Sequence, residues 1–199
     1  VACKVLRDRG FGAGCIGIEK NSLFLTPRIA EGIASQLSHS QISDVSGIVD
    51  EQRMIKSPRE ISYTRQAAEV ADAMMEVAIE TADEGVSEKE VAAEVHRTMI
   101  LAGGEYPGFG PFIRSTPTLP WEHGVWSDHT LRRGEMLFLE MAGCVARYHA
   151  PIGRLVFIGD APSGTSEVEP VSIEAMDAVV AAIKPGAIMG DVYQVWQDR

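Results

Sequence analysis

The chain has 199 residues, 18 Lys+Arg against 28 Asp+Glu and a net charge of −10, with 45% hydrophobic and 23% charged residues. This is the composition of a folded globular protein, and its negative excess argues against duty on nucleic acid or an anionic membrane surface, both of which are bound through Lys/Arg patches. No apolar run reaches the ~20 residues that cross a bilayer, no charged-then-apolar leader opens the sequence, and the three scattered cysteines (Cys3, Cys15, Cys144) form neither a disulfide framework nor a CxxC zinc site. A cytoplasmic setting is therefore expected. Because the sequence starts at Val1 within a helical pattern, it is expected to be a piece of something longer.

The first fifty residues read as an alternating α/β unit. Val1, Val5 and Leu6 give Val1–Arg9 one apolar helical face, and Gly10-Phe11-Gly12 ends it. Cys15–Glu19 is a short strand candidate. Thr26-Pro27 is a helix start, a capping hydroxyl followed by proline at the first helical position, and the helix is predicted to run to about Leu37. Gln41–Val45 reads as a second strand, and the unit stops near Arg53–Lys56.

Two capping boxes follow. Ser57–Glu60 opens a long helix predicted to reach about Glu84, with Ile61, Ala68, Ala71, Met75, Ala78 and Ile79 near one face. Ser87–Glu90 opens another, through Val91, Val95 and Met99 to Gly103-Gly104. The adjacent methionines Met74 and Met75 read as plain core. Glu105–Trp126, rich in Gly, Pro and aromatics, reads as an irregular loop of the kind that carries function. Three strand candidates come next, Met136–Met141, Cys144–His149 and Arg154–Ile158, and then helices over about Ser166–Ile183 and from Asp191. The class is α+β.

Several residues are candidates for chemistry. Trp121–His129 packs His123, His129, Glu122, Asp128, Trp121 and Trp126 into nine positions. Histidine transfers protons near neutral pH, and aromatic walls with a few polar groups suit a small, cationic ligand; the same segment also reads as an ordinary surface loop. Glu140 lies among Phe138, Leu139, Met141 and Ala142, where a lone carboxylate is costly unless paired or put to use, or else sits on a wet strand face. Tyr148, His149 and Arg154 cluster further on and read equally as structural or as substrate-positioning groups.

Val49–Ile61 with Arg65 and Ala67-Ala68, then Gly85-Val86-Ser87-Glu88, His123-Gly124, Leu131, Gly134-Glu135 and Tyr148, resemble in order the creatinase/aminopeptidase (M24, pita-bread) superfamily. The resemblance implies a partial pita-bread fold preceded by the end of an α/β N-terminal domain, with residues 1–52 as the tail of that domain. Residues 53–199 would then be the first two-thirds of the catalytic domain. It implies that Glu140 stands where metal-dependent members carry their first aspartate ligand, and Pro151 where they carry the second. A dinuclear centre needs that carboxylate, so a metal-free enzyme is expected, with Mn or Co only if it is a metallopeptidase.

Phe138–Pro151, with His123–His129 before it, looks most like ectoine hydrolases. That likeness implies metal-independent opening of the cyclic amidine of ectoine to an acetylated diaminobutyrate. His123 would serve as proton shuttle and Glu140 as nucleophile or cation anchor, with Trp121, Trp126, His129, Tyr148, His149 and Arg154 around the substrate. The alternatives are an Xaa-Pro metallopeptidase, a creatinase-like amidinohydrolase, and a non-catalytic pita-bread module that binds protein partners. A homodimer is implied for the full-length protein, and the fragment is expected to be inactive alone.

Overall fold

The computed structural model describes all 199 residues, which form two compact units, Val1–Ile61 and Ser62–Arg199. In the first unit, helix α1 (Ala2–Asp8) leads to strand β1 (Cys15–Ile18), helix α2 (Pro27–Gln36) and strand β2 (Gln41–Asp44). The two strands pair in parallel, Cys15 against Gln41 through Ile18 against Asp44, so β1-α2-β2 is a crossover unit. Thr26 caps α2 as the sequence implies, its Oγ1 accepting the Ile29 amide at 3.4 Å. Helix α3 (Ile48–Met54) was not expected. Its N-terminus is Gly47 without a side-chain cap, so the usual start signal is absent, while Asp50, Glu51 and Arg53 lie at the ends that the helix dipole favours.

In the second unit, helices α4 (Pro58–Thr81) and α5 (Glu88–Leu101) cover one face of an antiparallel sheet. Both capping boxes form: Ser57 with Glu60 (2.7 and 3.4 Å) and Ser87 with Glu90 (2.8 and 3.3 Å). The sheet has strand order β3 (Phe112–Ser115), β4 (Met136–Val145), β5 (Tyr148–Phe157). Alternation sorts β4 as far as Met141, beyond which Ala142, Gly143 and Cys144 are all buried. Leu137, Leu139 and Met141 point inward with Ile113 of β3, meeting Val70, Met74, Met75 and Ala78 of α4 and Val91, Val95 and Met99 of α5. Ala71, Met75 and Ala78 are buried as predicted, whereas Ile61 and Ile79 are exposed and Ala67 and Val70 take their place on the inner face.

The three predicted strands are two long ones. Gly143 and Pro151 look like breakers, yet each lies inside a strand. A Cβ at Gly143 would come within 2.0 Å of the Ala67 carbonyl oxygen, so glycine lets the backbone of α4 lie directly on the sheet. Pro151 is accommodated because β5 is an edge strand of the three. Ala146 and Arg147, both at positive φ, make the two-residue turn between β4 and β5. Strand β3 lies inside the segment read as loop. Beyond β5, helices α6 (Thr165–Ala182) and α7 (Met189–Gln197) pack on each other. An open cleft of about 1170 Å³ runs between α6 and the outer face of β5, lined by Phe138, Gly153, Leu155, Phe157, Val168 and Met176.

Candidate active site

The face of the sheet turned away from the helices holds Glu140 and several of the other candidate residues. Glu140 lies at its centre, in register with Phe112 on one side and Gly153 on the other. A Cβ built on Gly153 would meet the Leu139 carbonyl oxygen at 3.6 Å, an ordinary contact, and Gly153 lines the open cleft under α6. Phe138 pairs with Arg114 and Leu155, Ala142 with Pro151, and Cys144 with His149, all on this same face. Glu140 and Pro151 are therefore diagonal neighbours, one step apart along the ladder.

His123 reaches this face from the loop after β3. The Gly124 amide donates to the Trp121 carbonyl at 3.0 Å, closing a turn in which His123 takes φ 56. Histidine is among the few non-glycine residues that adopt this left-handed conformation with any frequency. Its ring lies 5.3 Å from that of Phe112, centroid to centroid, tilted by 47°. Because Phe112 is the cross-strand partner of Glu140, one aromatic ring joins the imidazole to the carboxylate's strand position.

The remaining sequence candidates divide. The Trp121 side chain is exposed and its carbonyl serves the turn. Trp126 instead meets His96 of α5 edge-on at 5.3 Å and packs against the core. His129 is tied by Nε2 to the Glu135 carboxylate at 2.9 Å, and Glu135 also accepts the Arg132 amide. Tyr148, in register with Val145, stacks on Tyr63 of α4 at 5.7 Å, on the inner side. His149 is on the outer face, where its Nε2 accepts the Gly108 amide at 3.0 Å and the 105–111 segment is held to β5. Arg154 has the inward register of Leu139 but is exposed at the cleft, its Nη1 folded back on the Gly153 carbonyl at 2.7 Å. The tight sequence cluster 121–129 thus spreads over both sides of the sheet, and of its residues the His123 turn is the part that approaches Glu140.

Two residues that build the site carried no role in the sequence reading. Glu88 is fully buried at the start of α5, and its carboxylate accepts the amides of Ser115 (2.7 Å) and Ser127 (2.6 Å) and both their hydroxyls. Burial works to raise its pKa, but the bonds from Ser115 and Ser127 outweigh it and hold the carboxyl below its ordinary value. The end of β3 and the segment after the His123 turn are thereby pinned to one helix start. Arg114 is the other. Only 9% exposed, it donates from Nη1 to the carbonyls of Leu119 (3.0 Å) and Trp121 (2.7 Å), and its guanidinium lies 4.5 Å above the Phe138 ring. No local signal announced it: Phe112-Ile113-Arg114-Ser115 shows no alternation of polar and apolar residues.

Residues 62–199 match the model of metallopeptidase family M24. The chain belongs to that family. Among curated M24 relatives, the ectoine hydrolase of Halomonas elongata is 29% identical over 96% of this chain and 50% of its own length. The Xaa-Pro dipeptidase of Pyrococcus horikoshii is 30% identical over 88% of this chain and 49% of its own. The crystal structure of the prolidase from Pyrococcus horikoshii superposes with a TM-score of 0.87 at 26% identity, over 100% of this chain and 56% of that one. The partial pita-bread fold is thus established, and the chain spans about half the length of the curated relatives it matches.

Family membership corrects the expectation of an enzyme without a cofactor: M24 is a metallopeptidase family. The residues of this chain do not by themselves fit such a centre, since no three His, Cys, Asp or Glu side chains converge on one point and Pro151 offers no side-chain donor next to Glu140. No helix is long and apolar enough to cross a membrane.

Proposed function

We propose that the protein carrying this chain is an M24 hydrolase that opens the cyclic amidine of ectoine to an acetylated diaminobutyrate. The observation that carries this reading is the pairing on one open sheet face of an imidazole and a carboxylate across Phe112, with the cleft-lining Gly153 as the cross-strand partner of Glu140. The likeness to an ectoine hydrolase over nearly the whole chain supports it. An amidinium is a flat, delocalised cation, and an aromatic ring beside a carboxylate suits it.

In the reaction, water adds its oxygen to the amidine carbon and one ring C–N bond breaks. The freed nitrogen takes a proton and the carbon becomes the carbonyl of an acetamide. Glu140 anchors the amidinium, and the charge on its carboxylate stabilises the cation until the ring C–N bond breaks. His123 delivers the proton to the departing nitrogen. His149, on the outer face, and Arg154, whose side chain lines the cleft, take the substrate carboxylate. The Xaa-Pro dipeptidases at 30% identity favour a second reading, hydrolysis of an Xaa-Pro dipeptide on the same face.

Incubation of the full-length protein with ectoine, Mn²⁺ being supplied, tests the reading. It predicts a product heavier by one water, and loss of at least ~100-fold in kcat in both His123→Ala and Glu140→Gln. An unchanged ectoine pool, or wild-type turnover in either variant, would contradict it.

A further inference from the structure

Arg114 is a buried guanidinium without an ion pair. Its Nη1 is spent on two loop carbonyls, its plane rests on Phe138, and its buried Nε has no hydrogen-bond partner. An apolar side chain would fill this place without an orphaned donor, so packing alone does not account for an arginine. What it holds is informative. The Trp121 carbonyl is the oxygen that closes the His123 turn through the Gly124 amide, and a Cβ on Gly124 would lie 3.5 Å from the Arg114 Cδ. The Leu119 carbonyl is the step before, so the two bonds fix both sides of Pro120 relative to β3. β3 also supplies Phe112, against which the His123 ring leans.

We infer that Arg114 is a positioning residue for His123. Its Nη1 ties the turn to β3 through two carbonyls, and the position of its guanidinium over Phe138 ties it to β4, the strand that carries Glu140. The imidazole and the carboxylate are thereby indexed to the same two strands, although His123 lies in a turn at a left-handed φ with an exposed ring. Lysine does not substitute, since a lone ammonium cannot donate to both carbonyls and at the same time cover the Phe138 ring as the wider guanidinium does. The inference rests on the proposed role of His123 in proton delivery.

A double-mutant cycle on the full-length protein tests it, with Arg114→Met, which keeps the apolar stem over Phe138, together with His123→Ala and the double variant. The readout is hydrolysis of ectoine followed to low residual rates. Arg114→Met is expected to lower kcat about 30-fold with KM changed less than threefold, and to lower it less than threefold further once His123 is already alanine. Arg114→Lys is expected to lose nearly as much kcat while melting close to wild type, which separates geometry from folding. Equal losses from Arg114→Met in the wild-type and His123→Ala backgrounds would overturn the inference and leave Arg114 structural. Full activity in His123→Ala would overturn the role of His123 first, and this inference with it.

Discussion

Two buried charged residues, Arg114 and Glu88, brace the candidate site from opposite sides of the sheet, and the brace made by Glu88 depends on pH. Its carboxyl titrates below its ordinary value of 4.5 because the ionised form accepts the bonds from Ser115 and Ser127. A lowered folded-state pKa contributes stability that is fully present above about pH 4.5 and is lost as pH falls through the lowered value. Glu88→Gln cannot accept through both arms, and it leaves buried amides short of a partner. We predict a loss of about 2–4 kcal/mol near neutral pH by denaturant titration, with the acid-side slope of stability correspondingly flatter. An unchanged slope would mean that the carboxylate is not the brace described.

Glu88 is also where the sequence was least readable. Its position one residue after the Ser87 cap suggests an ordinary first-turn acid, favoured by the helix dipole and solvated. Its partners, Ser115 and Ser127, are 27 and 39 residues away, so no local pattern announces it. His123 and Glu140, by contrast, could be singled out from sequence because each is anomalous in its own neighbourhood. Trp126 and His129 looked the same by composition. They were separated from His123 only by the fold, which sends Trp126 to α5 and His129 to Glu135.

At the scale of elements, the capped starts of α2, α4 and α5 were legible because capping is local, while the uncapped α3, the edges of the α4 inner face and the strand ends were not. Gly143 and Pro151 carry breaker chemistry, and whether a breaker breaks depends on what lies across from it. Gly143 is needed by α4 while Gly153 lines the cleft, and their alanine variants should part accordingly. Gly143→Ala puts a methyl into the α4 backbone and should destabilise by about 3 kcal/mol or more in chemical denaturation. Gly153→Ala meets ordinary contact distances and should cost within ~1 kcal/mol of stability, yet lower kcat/KM about tenfold or more by narrowing the cleft at the cross-strand partner of Glu140. If Gly153→Ala turns over substrate like the wild type, the cleft at Gly153 is not where substrate sits.

For the molecule as a whole, the fold of the M24 half is settled by helices that bury Leu137, Leu139 and Met141 and leave the other sheet face uncovered by them. That face carries Glu140, Phe112 and Phe138 and is flanked by His123, the set on which the proposed amidine substrate rests. The same fold serves relatives named as ectoine hydrolase and as Xaa-Pro dipeptidase, so substrate choice lies in side chains and not in architecture. The most direct test is competition. The full-length protein is given ectoine and an Ala-Pro dipeptide at equal concentration with Mn²⁺ present, and both products are counted. The account predicts a kcat/KM ratio of at least ~100 in favour of ectoine, set by the Glu140 carboxylate and the His123 proton. A ratio in favour of the dipeptide would contradict it.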